Sequence, residues 1–444
     1  MSARGAWANV PAPAGLAWSQ RDLPGWVGPW LLRLWWLWDR LVPKRDDCWA
    51  FFTHPLKSSQ FVENSRAVFE QVKRDPAVRK IVFTRYAAVE LALEGACNTE
   101  VVNLKSVTGL RALAHCGVLL LTNSVGLDLL LRWDATHYSH PRPDLRRRIV
   151  LNLWHGIPLK RLFALANPEQ RRHGDRNAYR RAERSAYTGL IASSDADRNA
   201  MAAIFHPILP DRVWATGLPR NDFLAMAENE LPGFLREGLH QVRARKRGRR
   251  LVVYAPTYRD ATAGGGDHYP FDENEIARLR ALLIRHDAVL GVRMHYLRNG
   301  KRQAFGIEQH VDGEHIVDLG HEVSPEIAPL LREADIVLTD YSSVYIDALY
   351  LDRPVLGFAY DLPHYREHQN GLLYDMALAF PGPVHERFDD VLASLDALLS
   401  VPGFVPGDGY RQTQRLFFNR RDDGNAGRVL AMLRAEISRR AGQA

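Results

Sequence analysis

The chain has 444 residues, 46% hydrophobic and 25% charged, which fits a folded globular protein, excludes a disordered one and, at roughly 150 residues per domain, predicts two or three domains. A net charge of +7 suits an anionic partner, whether a nucleotide, a phosphate polymer, an acidic membrane surface or nucleic acid, without choosing among them. Cys48, Cys97 and Cys116 are too sparse for a disulfide framework and lack metal spacing, so the chain reads as cytoplasmic.

The first twenty residues lack a basic stretch followed by an apolar core and a small-residue cleavage site, so no signal peptide is expected. From Trp26 to Val42, the residues Trp30, Leu31, Leu34, Trp35, Trp38 and Leu41 fall at helical spacing, with Arg33, Asp39 and Arg40 on or beside the other face. The segment is too short and too charged to span a bilayer. An interfacial helix lying on a membrane and a helix packed against the protein body both fit it.

Strand-like runs follow at Lys80–Phe83, Val118–Asn123, Arg148–Leu153 and Gly189–Ser193. The pattern resumes at Leu251–Tyr254, Ala288–Met294, His315–Leu319, Ile336–Leu338 and Val355–Phe358, with helical or loop segments between. This alternation predicts an α/β protein of two Rossmann-like halves, with a tryptophan-rich segment over 1–50 and units over 51–235 and 236–444. The basic run in Glu230–Arg250 marks the junction, as a solvated linker and helix face or as a contact for acidic lipid or polymer.

The residues that carry chemistry sit where strands end. In Trp154-His155-Gly156-Ile157-Pro158-Leu159-Lys160, glycine lets the backbone turn and proline fixes the exit, so His155 is presented at the sheet edge as a general base or as a structural histidine. Thr216-Gly217-Leu218-Pro219-Arg220-Asn221-Asp222 is a turn that leaves Arg220 able to face a cleft. Tyr254-Ala255-Pro256-Thr257-Tyr258-Arg259-Asp260 and Val292-Arg293-Met294-His295 deliver Thr257, Arg259, Arg293 and His295 to the second half's crevice. There a forked guanidinium suits a diphosphate. The Asp195-x-Asp197 pair reads as a helix cap or a divalent-metal pair.

Thr339-Asp340-Tyr341-Ser342-Ser343 ends a buried-type strand and opens a helix over Val344–Tyr350, stopped by Pro354. Its short polar side chains serve as a helix cap, as a cradle for an anion at a helix N-terminus, or as both.

Taken in order, these segments resemble the CDP-glycerol glycerophosphotransferase family, which makes teichoic acids and related capsule polymers. The resemblance covers about 150–375, with Asp361, Tyr365 and Gly371 similar to the family's closing segment. It implies a GT-B-like fold and transfer of glycerol phosphate from CDP-glycerol to an acceptor hydroxyl, with release of CMP. By the same carry-over His155 is the base, and His295, Arg259, Ser342 and Ser343 hold the donor diphosphate. Gly156, Pro158, Lys160, Arg220, Thr257, Arg293, Thr339, Asp340 and Asp361 line the substrate sites.

Neither metal, cofactor nor nucleic acid is expected; the expected partners are CDP-glycerol, a glycerol-phosphate or polysaccharide acceptor, free or lipid-linked, and the inner membrane face. The family's lysine-x-histidine-proline stands here as Arg293-Met294-His295-Tyr296, and its usual tryptophan as Tyr258. CDP-ribitol or a nucleotide sugar on the same fold, and a non-catalytic binding module, are the alternatives.

Overall fold

A computed structural model describes residues 17–55, 60–85, 89, 91–134, 136–166, 176–257, 268–294, 306–368 and 371–443. Strands β1 (Arg45–Phe52), β2 (Arg79–Thr84), β3 (Thr99–Asn103), β4 (Cys116–Leu121), β5 (Ile149–Asn152), β6 (Gly189–Ile191) and β7 (Val213–Trp214) form a seven-stranded sheet in the order β3-β2-β1-β4-β5-β6-β7. Strands β8 (Arg250–Tyr254), β9 (Ala288–Val292), β10 (Ile316–Asp318), β11 (Ile336–Thr339), β12 (Val355–Phe358) and β13 (Val384–His385) form a six-stranded one, ordered β10-β9-β8-β11-β12-β13. Every pairing in both sheets is parallel. Such strands are covered on both faces, which is why β4, β5, β9, β11 and β12 are apolar runs buried along their whole length. In each sheet the strand order reverses once, between β1 and β4 and between β8 and β11, and ligands of doubly wound sheets sit outside the carboxyl ends at that switch.

The sequence reading lacks β1, β3, β7 and β13. The expected boundary at residue 50 falls inside β1, a central strand, so the first sheet begins at Arg45. The charged opening Arg45-Asp46-Asp47 hides the strand character of its buried end, Cys48–Phe52. The expected junction is also more ordered than a linker: Gly233–Lys246 is a helix whose Leu235, Leu239 and Val242 are buried. Its Arg243 and Lys246 pair with Glu333 of the second half at 2.8 and 2.7 Å.

At the far end the chain recrosses. Asp222 accepts from the amides of Asn425 and Ala426 at 2.9 and 2.8 Å and so caps the last helix, Asn425–Ala441, against the first half. The Ser193 hydroxyl donates to the Phe417 carbonyl at 2.6 Å beside it. A single apolar cluster therefore runs from Phe51 and Leu151 through Leu235 to Val253 and Val337 and on to Leu430.

The tryptophan segment forms a helix over Gly28–Leu41. Its expected stripe splits: Trp35 turns inward with Leu32, donating its indole N–H to the Leu110 carbonyl at 2.7 Å, while Trp30, Leu34 and Leu41 point to solvent. Asp39, expected beside the polar face, is fully buried against Arg148 at 2.5 Å and Lys44 at 3.0 Å. Burial alone would raise the Asp39 carboxyl, but those two cations hold it below its ordinary value.

Candidate active site

His155 is built by the residues before it. β5 ends at Asn152, whose side chain accepts from the Trp154 amide at 2.8 Å and donates to the Asn123 carbonyl at 2.9 Å. Trp154 then takes a φ of 47°, a strained setting for a bulky residue. Asn64, donating to the carbonyls of Leu153 and Trp154 at 2.9 and 3.1 Å, holds that turn from across the sheet. The Trp154 ring goes inward against Phe205 at 4.8 Å and stacks on the His155 imidazole at 4.0 Å. The turn thus exposes His155 while Trp154 and Gly156 on either side are buried. Its Nδ1 lies 3.3 Å from the Thr122 carbonyl, which can only accept, so the proton belongs on Nδ1 and the lone pair on Nε2.

Beyond His155 the first half touches the second. A Cβ placed on Gly156 would lie 3.3 Å from the Arg220 guanidinium and 3.9 Å from the Ser343 hydroxyl, so these residues, from three separate motifs, meet at one point. Arg220 is anchored by Asp347 at 2.7 Å through its side chain and by the Asn64 side chain at 3.0 Å through its amide. Burial works against its charge, but Asp347, Glu63 and Glu326 outweigh it and raise its pKa. Pro158 is buried, Lys160 forms an antiparallel bridge with Leu372, and its ammonium lies 5.6 Å from the Tyr365 ring.

On the second half, Thr257 and Asp340 follow β8 and β11 and so straddle the switch point. The Thr257 amide donates to Asp340 Oδ1 at 2.7 Å, and the Tyr341 amide donates to the same oxygen at 2.6 Å. Asp340 therefore fixes the turn. The Thr257 hydroxyl is buried with no hydrogen-bond partner among the described residues. Ser343 makes no side-chain cap for the short helix Val344–Leu349, and Ser342 accepts only weakly from the Val344 amide at 3.4 Å. Both serines remain partly exposed, Ser343 beside Gly156. Asp361 accepts from the Tyr341 hydroxyl at 3.1 Å, and Tyr341 stacks on Tyr365 at 4.1 Å.

Two expected contacts are spent elsewhere. Arg293 is buried, its guanidinium donating to the carbonyls of Leu319 at 3.1 Å and Ser324 at 2.7 Å; burial lowers its pKa to about 10, and it braces the wall instead of facing the cleft. The Thr339 hydroxyl donates to the Ala255 carbonyl at 2.7 Å. Arg259 and His295 lie outside the described residues, as does the glycine-rich loop 261–267. Of the Asp-x-Asp pair, Asp197 accepts from the Ser193 amide at 2.8 Å and Ser194 caps the helix, while Asp195 faces Arg198 at 3.3 Å; the pair serves the helix start. Asn64, Thr122 and Asp347 are absent from the sequence reading, because their roles arise from contacts far apart in the chain.

Residues 39–434 match the profile of the CDP-glycerol:poly(glycerophosphate) glycerophosphotransferase family. The chain belongs to this family. A teichoic acid glycerol-phosphate transferase of Staphylococcus aureus is 29% identical over 290 residues, 63% of this chain and 69% of that protein. A teichoic acid poly(glycerol phosphate) polymerase of Bacillus subtilis is 28% identical over 276 residues, 60% of this chain but 34% of that protein, so the match spans about a third of the polymerase. Among solved structures, the wall teichoic acid polymerase TagF superposes with a TM-score of 0.70 at 20% identity, covering 92% of this chain and 93% of that one. At that identity the likeness concerns the fold, and it agrees with the GT-B-like arrangement expected from the motifs.

Proposed function

We propose that the chain transfers glycerol phosphate from CDP-glycerol to a hydroxyl of a glycerol-phosphate-bearing acceptor. The acceptor oxygen attacks the phosphorus that carries glycerol, and its proton goes to His155 Nε2. The bond from that phosphorus to the bridging oxygen breaks, and the electron pair leaves with CMP. Thr257, Arg220, Ser342 and Ser343 line the donor side, and their role, which the family resemblance extends to Arg259 and His295, is to hold the diphosphate and stabilise charge on the departing CMP. The observation that carries this reading is the meeting of Gly156, Arg220 and Ser343, which sets the base-bearing turn beside the donor wall. The test is CMP release from CDP-glycerol, CDP-ribitol and a CDP-sugar, each with a glycerol-phosphate-primed acceptor. Acceptor-dependent release with CDP-glycerol is expected; release with CDP-ribitol alone would overturn the choice of donor.

The same reading places the enzyme at an acidic membrane face. Among the described residues no helix is long and apolar enough to cross a membrane. Trp30, Leu34 and Leu41 nonetheless share one helix face at 63%, 67% and 77% exposure, with Trp26 at 80% just before it. Arg33 and Arg40 lie over the rings of Trp30 and Trp36 at 4.6 and 3.5 Å. Tryptophans flanked by cations favour an interface where one side is apolar and the other anionic. Replacing Trp30, Leu34 and Leu41 by Gln is expected to cut co-sedimentation with anionic vesicles at least about tenfold, since each apolar side chain contributes on the order of 1.5–3 kcal/mol when buried. Unchanged pelleting would refute the contact.

A further inference from the structure

The transfer described above uses His155 but not the hollow next to it. Beyond the end of β5, Asn123, Trp154, Phe163, Glu183, Arg184 and Phe205 enclose a cavity of about 110 Å³ with His155 in its wall. At about 30 Å³ of liquid volume per water, that is room on the order of a three-carbon polyol, and too little for a nucleotide.

The lining carries two kinds of polar capacity. Arg184 is buried with its guanidinium 4.1 Å from the Phe163 ring and 5.4 Å from Phe205, and Arg180, one turn earlier on the helix Arg176–Ser185, lies 5.7 Å from Phe163. Among the described residues neither guanidinium makes a hydrogen bond or an ion pair, although each presents five N–H donors. A tetrahedral oxyanion such as phosphate, with several acceptor oxygens, satisfies such a pair of planar donors. Glu183 supplies the second capacity. Its Oε1 accepts from the Val125 amide at 2.8 Å and the Tyr187 hydroxyl at 2.5 Å, while Oε2 is buried with no partner among the described residues. Burial raises the Glu183 carboxyl above its usual range, so it can share a proton with a neighbouring hydroxyl.

We infer that this hollow is the acceptor subsite and takes the terminal glycerol phosphate of the acceptor, with phosphate on Arg180 and Arg184, the inner hydroxyl toward Glu183 and the end hydroxyl toward His155. The inference rests on the transferase reading of His155 and adds the side chains that recognise the acceptor's end: Arg180 and Arg184 for its phosphate and Glu183 for its inner hydroxyl.

The test is calorimetric titration of sn-glycerol 3-phosphate, glycerol and inorganic phosphate into the full chain with CMP present, so that donor-side binding does not contribute. sn-Glycerol 3-phosphate is expected to bind at least about tenfold more tightly than glycerol or inorganic phosphate, and R184Q to weaken it by about tenfold or more, the loss of one charge-assisted contact. R184K should recover part of that loss, and CMP affinity should stay within about twofold. If burial makes R184Q unstable, the partly solvated R180Q carries the comparison, with a loss of about threefold or more expected for a more solvated contact. Equal binding by the arginine variants and the native chain, or inorganic phosphate binding as tightly as sn-glycerol 3-phosphate, would overturn the subsite. Arginine-dependent binding without any CMP release from CDP-glycerol would leave the subsite standing and overturn the transferase reading instead. Transfer with an unchanged acceptor KM in both variants would overturn the subsite alone.

Discussion

Replacing His155 by Ala separates catalysis from folding, because the two roles of this side chain differ in size. The imidazole is exposed, stacks on Trp154 at 4.0 Å and makes a 3.3 Å contact with the Thr122 carbonyl. Losing a solvated stack and one such hydrogen bond costs about 1 kcal/mol of stability or less. A general base contributes roughly 10²–10⁴ in rate, which is about 2.7–5.5 kcal/mol of barrier. H155A should therefore lose at least about a hundredfold in kcat while its urea midpoint falls by no more than about 0.3–1 M, which is about 1 kcal/mol at a slope of about 1–3 kcal/mol/M. Donor affinity should hold, because the residues lining the donor wall come from other strand ends. The assay is steady-state CMP release with saturating acceptor, paired with equilibrium unfolding and CMP titration. A kcat within about threefold of the native value, with the fold intact, would refute His155 as base.

Gly217 has a φ of 85°, and a Cβ there would lie 1.7 Å from Asn425 Oδ1, so G217A must displace the start of the last helix. Together the left-handed backbone and the disturbed Asn425 contact to Tyr350, 3.0 Å long, are expected to cost about 2–4 kcal/mol in urea unfolding, and a loss below about 0.5 would contradict the clamp. D39N leaves Arg148 buried without its carboxylate and should destabilise the chain by about 3–5 kcal/mol while making the Gly28–Leu41 helix sensitive to protease. For Asp222, burial raises the pKa from an ordinary 3.8 to about 6, only partly offset by the amides of Ala426 and Asn425. The folded state then holds more protons than the unfolded one across that window, so this carboxyl's contribution falls as pH rises from about 4 to 6, by at most about 3 kcal/mol. The native-minus-D222N stability difference should fall over that range, and a flat difference would refute the raised pKa.

The parts of the fold legible in the sequence are those fixed by local pattern. Ile336–Leu338 and Val355–Phe358 are apolar runs bounded by polar turns, and both are buried strands. The Gly156 and Pro158 bracket around His155 likewise signals a presented side chain, and His155 is exposed at that turn. What the sequence hides depends on long-range partners. Arg293 looks like a cleft arginine until the carbonyls of Leu319 and Ser324 close around it. Of the three expected cap residues, Asp340, Ser342 and Ser343, it is Asp340 that holds the turn, and its partner, the Thr257 amide, lies 83 residues away in sequence. β1 is masked by its charged first residues, and the return of the last helix to the first half rests on Asp222, whose partners lie 203 and 204 residues downstream.

The most direct test of the central claim is mass analysis of the acceptor after one turnover with CDP-glycerol. The account predicts that a glycerol-phosphate-primed acceptor gains one glycerol phosphate for each CMP released, and that H155A gives neither product at a comparable rate. CMP release with no mass added to the acceptor, or transfer that persists in H155A, would contradict it.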